Sequence, residues 1–238
     1  MELTGRTALI TGGSRGIGRA TAAALVEAGM NVLLTARSGE DANAVARELT
    51  QAGPGKALGA ACDVRDLASL EGAVKTAVGE FGSLDLLVAN AGVGGRASIL
   101  DLEPEFWHGV IDTNLTGAFY SVKAAVPALI DSGGMIITVG SLAGANFFPG
   151  GAAYNASKFG LLGFTQAVML DLRDKGVRVS TIMPGSVATT FADRDVTPED
   201  AWKLDPTDIA ATVLYLFRMP ARALPSKVEL RPARTSLD

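Results

Sequence analysis

The stretch TALITGGSRGIGRATAAALVEAG, residues 7 to 29, changes its hydrophobic period halfway along. TALIT (7 to 11) is short and apolar, as expected of a strand covered on both faces. TGGSRGIG (11 to 18) follows as a glycine-rich turn. From there Ile17, Thr21, Ala24, Leu25 and Ala28 recur on one helical stripe that Gly29 ends. A strand, a glycine turn and a helix in that order open a parallel α/β sheet.

The same alternation continues outward. NVLLT (31 to 35), ALGAA (57 to 61), LDLLVA (84 to 89), MIITV (135 to 139), VRVSTIM (177 to 183) and KVEL (227 to 230) read as further strands. The intervals are long enough for crossover helices, with starts near Glu40, Leu67, Pro104, Tyr154 and Asp205. Lys175–Gly176 marks the end of the fifth helix, and DPTD (205 to 208) supplies a cap and an acidic first turn for the sixth. The expected fold is a doubly wound, Rossmann-type parallel sheet of about seven strands with helices on both faces. No repeat, linker or low-complexity tract divides it, so residues 1 to 238 are expected to form one domain.

Net charge is −4, with Lys and Arg scattered, which disfavours a nucleic-acid backbone or an anionic membrane and favours a small-molecule partner. No basic-then-apolar leader opens the sequence, and the apolar runs are broken well short of a bilayer span; a cytoplasmic location is expected. Cys62 is the single cysteine and His108 the single histidine. That leaves no internal disulfide, no thiolate or histidine metal cluster, and no histidine-based triad.

In such a sheet, ligands sit beyond the carboxyl ends of the strands, where a glycine turn lets a pyrophosphate approach backbone N–H groups and a helix N-terminus. Gly12, Gly16 and Gly18, with Ser14, Arg15 and Ile17 between them, are placed for this role. Their GxxxGxG spacing departs from GxGxxG. The second strand ends TARS, which puts Arg37 and Ser38 about twenty residues on, where a site for NAD usually carries an acid. A guanidinium there, joined by Arg15 from the loop, suits a 2'-phosphate, so NADP(H) is the expected cofactor.

GGAAYNASKFG (150 to 160) sets a phenol and an ammonium four residues apart, at Tyr154 and Lys158. On a helix the two share a face. Bringing a phenol from its ordinary pKa of about 10 to neutrality takes roughly 4 kcal/mol. One cation about 4 Å away, at an effective dielectric near 20, supplies about that much. The spacing therefore predicts that Lys158 lowers the Tyr154 pKa. Upstream, ITVGSLAG carries Ser141 to the end of the fifth strand, where its hydroxyl can meet a carbonyl. Hydride transfer to or from a carbonyl carbon, with Tyr154 moving the proton, is the chemistry this set suits.

With these residues assembled, the chain resembles the short-chain dehydrogenase/reductase family, in its single-domain branch, from Leu3 to about Pro232. The resemblance is carried by TGGSRGIG, CDV (62 to 64), NAG (90 to 92), Asn114 in DTNLTG, Ser141, YNASK and PG (184 to 185). It implies Asn114, Ser141, Tyr154 and Lys158 as the catalytic set, with Asn114 interrupting the fourth helix and holding a water that links Lys158 to solvent. A capping or kinking role explains an Asn there equally well. The resemblance further implies that Asp63 and Val64 flank the adenine and that Asn90, Ala91 and Gly92 line the cleft. Pro184, Gly185, Val187 and Thr189 would approach the nicotinamide, and Tyr154 and Lys158 would touch the cofactor too.

Within the family, 3-oxoacyl thioester reductases and broad ketone reductases are the nearest group, although the tail SKVELRPARTSLD lacks their common Gly-Gly ending. A homotetramer or homodimer is implied. Phe191, Trp202, Phe147, Phe148 and Pro149 are candidates for an apolar substrate wall, and Gly94, Gly95 and Arg96 for part of its rim. A non-catalytic NADP(H)-binding redox sensor is the alternative, against which the intact Ser141, Tyr154 and Lys158 speak. A sugar-nucleotide epimerase or dehydratase would need a larger substrate region than this length allows.

Overall fold

The computed structural model describes residues 2–191 and 195–234. Seven strands form one parallel sheet: β1 (Thr7–Thr11), β2 (Asn31–Ala36), β3 (Ala57–Ala61), β4 (Leu86–Ala89), β5 (Met135–Val139), β6 (Arg178–Pro184) and β7 (Lys227–Leu230). Their spatial order is β3-β2-β1-β4-β5-β6-β7, which reverses direction between β1 and β4. This is the doubly wound arrangement expected, and the reversal opens a crevice at the carboxyl ends of β1 and β4.

Side chains alternate across the sheet and both faces are buried. Ala8, Ile10, Val32 and Leu34 pack on one side beneath helices α1 (Gly16–Glu27), α2 (Gly39–Ala52) and α7 (Pro206–Arg218). Leu9, Leu33, Leu87, Ile136 and Val179 pack on the other beneath α3 (Leu67–Phe81), α5 (Gly117–Ser132) and α6 (Ala152–Leu172). That two-sided burial is why the strands read as continuous apolar runs. On α1 the expected stripe is turned slightly: Thr21 and Leu25 are buried as expected, joined by Gly18, Ala22 and Val26, while Ile17, Ala24 and Ala28 lie at its margin.

The helix expected from Pro104 is not one rod. Helix α4 runs Pro104–Ile111, a π-turn occupies Asp112–Thr116, and α5 continues from Gly117. Asn114 lies in that turn, so the interruption expected there is present. Asp205 caps α7 through a reciprocal box with Asp208, and the turn after α6 ends at Gly176 in the left-handed conformation, both as read from the sequence. Among the described residues no helix is long and apolar enough to cross a membrane.

Two buried polar residues tie strands to their surroundings at the end away from the crevice. The run LDLLVA forms a strand only from Leu86, and Asp85 just before it turns its carboxylate to the start of β1: it accepts from Thr7 N–H (2.9 Å), the Ser83 hydroxyl (2.7 Å) and Arg6 (2.8 Å). Arg178, buried at the start of β6, donates to the carbonyls of Leu216, Phe217 and Met219 and so closes the C-terminus of α7. Replacing Asp85 by Ala strands a buried N–H and an arginine, and should cost about 2–4 kcal/mol in urea unfolding. Because Asp85 lies far from the crevice, dinucleotide affinity at a temperature well below the unfolding transition should change little; a weakened affinity would show that the two ends of the sheet are coupled.

Candidate active site

The crevice is a cleft of about 1070 Å³. Ser14, Arg15, Ile17, Arg37, Ser38, Asp63, Val64, Ser141, Tyr154, Lys158, Pro184, Gly185, Val187 and Thr189 all line it. So do Gly12, Gly16, Asn90, Ala91 and Gly92. Residues separated by more than 170 positions in the chain thus face one space because every β-to-α connection opens at the same edge of the sheet. Gly18 and Asn114 stand one layer behind the lining.

At the glycine loop, Gly12 adopts a positive φ of 64°. Gly18 is needed for contact: a Cβ there would sit 2.6 Å from the Asn90 amide and collide with the Gly12 carbonyl. Asn90 itself binds the loop, donating to the carbonyls of Thr11 (2.9 Å) and Gly12 (3.0 Å). The Thr11 hydroxyl accepts in return from the N–H groups of Asn90 and Ala91, both at 3.1 Å. Asn90 is therefore a brace for the loop as well as part of the cleft wall. Helix α1 begins at Gly16 with Arg15 at its N-cap, and no side chain caps it, so its first N–H groups remain available to an anion in the cleft.

At the other end, Ser141 starts a short turn after β5 and its hydroxyl accepts from Ala143 N–H (3.1 Å), the strand-end role that a serine often plays. The same side chain faces the Tyr154 phenol and acts to lower its pKa. Lys158 is buried, with its Nζ 3.0 Å from the Val139 carbonyl at the end of β5 and 5.8 Å from the centre of the Tyr154 ring. Asn114 uses its whole amide group: it accepts from Val93 N–H (2.8 Å) and donates to the Val93 carbonyl (2.9 Å) and the Ser157 hydroxyl (3.1 Å). The Ser157 hydroxyl donates to the Tyr154 carbonyl (2.8 Å). Asn114 thus links the π-turn to the loop after β4 and to the helix that carries the phenol.

The electrostatics correct one expectation. Burial holds the half-buried Tyr154 phenol above its ordinary pKa, opposed by the Ser141 side chain, rather than Lys158 drawing it down. The ammonium points at the Val139 carbonyl, and it is itself weakened: loss of water pushes its pKa from 10.5 down to about 8. The pair of residues alone therefore keeps the phenol protonated at neutral pH.

The expected aromatic wall is also only partly realised. Phe191 lines the cleft, with its ring centre 6.1 Å from that of Tyr154. Phe147 is 86% exposed, Phe148 stacks under Arg96 at 4.9 Å, and Trp202 packs beside Lys203; with Pro149, they stand outside the lining. Gly94 lines the cleft as part of the rim, whereas Gly95 and Arg96 stand back from it. Phe106, which the sequence reading passed over, takes part in the wall. Its position in the first turn of α4 offered no signal beyond an apolar residue near a helix start. Asn155 was missed as well: its amide donates to the carbonyls of Ala143 (2.7 Å) and Asn146 (2.8 Å) and holds the Ser141 loop against α6. A polar residue between Tyr154 and Lys158 in a helix of small residues was the available clue.

The buried lysine has a measurable consequence. Its folded pKa of about 8 lies below the 10.5 of an unperturbed lysine, so between those values the unfolded chain binds the extra proton. The cost of burying the cation is complete below pH 8 and is relieved as pH rises. Relative to Lys158→Met, the native chain should gain about 1 kcal/mol of unfolding free energy per pH unit from 8 to 10. Urea titrations of both proteins across that range check this, and a constant difference would contradict it.

Comparison with known proteins accords with this geometry. The family model described as short chain dehydrogenase matches residues 6–200. The chain is similar to the 3-oxoacyl-[acyl-carrier-protein] reductase of Synechocystis sp., 36% identical over 230 residues that cover 93% of this chain and 92% of that one. Among solved structures, it is similar to an alcohol dehydrogenase from Thermococcus sibiricus complexed with 5-hydroxy-NADP, with a TM-score of 0.91, 30% identity and coverage of 98% of this chain and 99% of that one. It is also similar to a 3-ketoacyl-(acyl-carrier-protein) reductase from Brucella melitensis complexed with NADH, with a TM-score of 0.88, 27% identity and coverage of 98% and 99%. The chain belongs to the short-chain dehydrogenase/reductase family and is an oxidoreductase of that type.

Proposed function

We propose that the protein reduces a ketone, including 3-oxoacyl thioesters in its range, to a secondary alcohol at the expense of NADPH, with Tyr154 as the proton donor. The observation that carries this reading is the convergence of Ser141, Tyr154 and Lys158 on one end of a cleft whose other end holds an uncapped helix N-terminus and two guanidinium groups. A nicotinamide dinucleotide fits the residues present. The Gly12–Gly18 turn and the first N–H groups of α1 would take its pyrophosphate, and the segment from Pro184 to Thr189 would face its nicotinamide.

A reduced nicotinamide supplies the hydride. The protein does the rest. Ser141 holds the carbonyl oxygen and Tyr154, kept protonated by burial, delivers a proton to it, so the carbonyl becomes the alcohol. Lys158 then favours the deprotonated phenol electrostatically, one helical turn away, and Asn114 positions the helix through Ser157.

The preference for NADP(H) rests on Arg15 and Arg37. Both line the cleft, both are exposed, and among the described residues neither is paired with a carboxylate. Asp63, the nearby acid that would repel a 2'-phosphate, is held in the fork of Arg65 at 2.6–3.1 Å. Solved relatives carry NADP-type ligands or NADH, so family membership leaves the choice to these residues. We further propose a homotetramer or homodimer, supported by Phe119 and Phe159, exposed on α5 and α6 at 43% and 44%.

Two experiments test the reading. Tyr154→Phe should lower kcat by about 10²–10⁴ for ketone reduction while NADPH still binds, as followed by nucleotide fluorescence. Retention of most turnover would assign the proton to another group, and tight NADPH binding without turnover of any ketone by the native protein would favour a redox sensor. Arg37→Ala should raise KM for NADPH about tenfold more than KM for NADH. Equal changes would remove Arg37 from 2'-phosphate recognition.

A further inference from the structure

Phe191 occupies an unusual place beside the phenol. The segment leading to it is pinned from below, where Ala188 N–H donates to the Leu204 carbonyl (2.8 Å) and Leu204 N–H to that of Ser186 (3.0 Å). Phe191 N–H then turns back to the Thr189 hydroxyl (3.3 Å). The ring that results lies over Gly94, in the loop after β4, and its centre is 6.1 Å from the centre of the Tyr154 ring at an interplanar angle of 58°. A Cβ on Gly94 would come within 2.8 Å of the Phe191 Cζ, so the glycine is what admits the ring. The next residue repeats the device: a Cβ on Gly95 would lie 2.6 Å from the Cζ of Phe106. Two consecutive glycines thus seat two aromatic rings at the tyrosine end of the cleft.

A carbonyl oxygen that takes a proton from Tyr154 must come within about 3 Å of its hydroxyl. The two substituents of the carbonyl carbon then lie beside the phenol ring, and one of them meets Phe191. Rings whose centres are 6.1 Å apart are in contact and leave no space between them for a further ring.

We infer that Phe191, seated on Gly94 against Tyr154, determines substrate specificity by limiting one flank of the reacting carbonyl to about the size of a methyl group, so that the substrates are methyl ketones and 3-oxo esters or thioesters ending in a methyl ketone. This rests on Tyr154 being the proton donor. The substrate's other flank faces the open part of the cleft and is not restricted by this contact.

The test compares kcat/KM for ethyl acetoacetate and ethyl benzoylacetate, with NADPH, in the native protein and three variants. The two esters differ in the flank, methyl against phenyl. The native protein should favour the methyl ketone by at least about tenfold. Phe191→Ala should shift that ratio toward the phenyl ketone by about tenfold or more, and Phe191→Trp should shift it the other way. Gly94→Ala, whose Cβ forces the ring aside, should move the ratio in the same direction as Phe191→Ala; Gly94 is not in the left-handed region, so alanine is tolerated by the backbone. Equal loss with both ketones in Phe191→Ala would make the ring a structural support only and overturn the inference, as would a native protein that reduces both equally. If the native protein reduces neither ester with either nucleotide, the proposed reduction fails and this inference with it; turnover with a ratio that no variant moves defeats the inference alone.

Discussion

The ammonium of Lys158 lies out of water, 3.0 Å from the carbonyl that ends β5 and one helical turn beyond Tyr154. Burying a cation without a carboxylate partner is unfavourable, and the depressed pKa of about 8 records that cost. The packing around it keeps it there. Helix α6 presses on the turn after β5, where a side chain on Gly144 would run within 2.7 Å of the Lys158 carbonyl, and Asn155 secures the same turn by two hydrogen bonds. A surface lysine would be a flexible charge screened by solvent. This one is a fixed group in a low-dielectric wall, directed at the Val139 carbonyl.

Three asparagines serve as cross-links between elements that the backbone does not join. Asn90 couples β4 to the glycine loop after β1, Asn114 couples the π-turn to the loop after β4 and to α6, and Asn155 couples α6 to the turn after β5. Each is at least partly buried; Asn114 and Asn155 both donate and accept through their amides, while Asn90 donates twice from its amide nitrogen. The cleft is therefore held at both ends by side-chain bonds, and the loops that line it are less free than their lack of regular structure suggests. The π-turn has a part in this: the extra residue in the rod from α4 to α5 sets the position at which Asn114 faces inward.

The cleft is also electrostatically divided. Guanidinium groups gather where β2 and β3 end, while the tyrosine end is walled by Phe106, Phe191 and Val93, with Lys203 paired with Asp200 and Lys158 buried. On the proposed function, this division would sort the phosphate-bearing end of the cofactor and the ketone to opposite ends of the cleft. That division makes sense of two exposed arginines that would otherwise read as ordinary surface charge.

Strand positions and the parallel class were legible in the sequence because a strand buried on both faces leaves a short apolar run, and glycine, proline and aspartate punctuate its ends locally. Most of the cleft lining was legible for the same reason: in this topology, whatever follows a strand lies at one edge. The Asp85 anchor, the Arg178 cap and the Phe191–Gly94 contact were not, since each depends on residues between 38 and 97 positions apart meeting at atomic distance. The direction of the Tyr154 shift was misread because helical spacing sets how near a lysine can come but says nothing of how much water both groups lose. Local pattern thus determined the order of elements and the residues that reach the cleft; only tertiary packing, which fixes burial and the contacts between distant segments, decided which of those residues touch and what charge they hold.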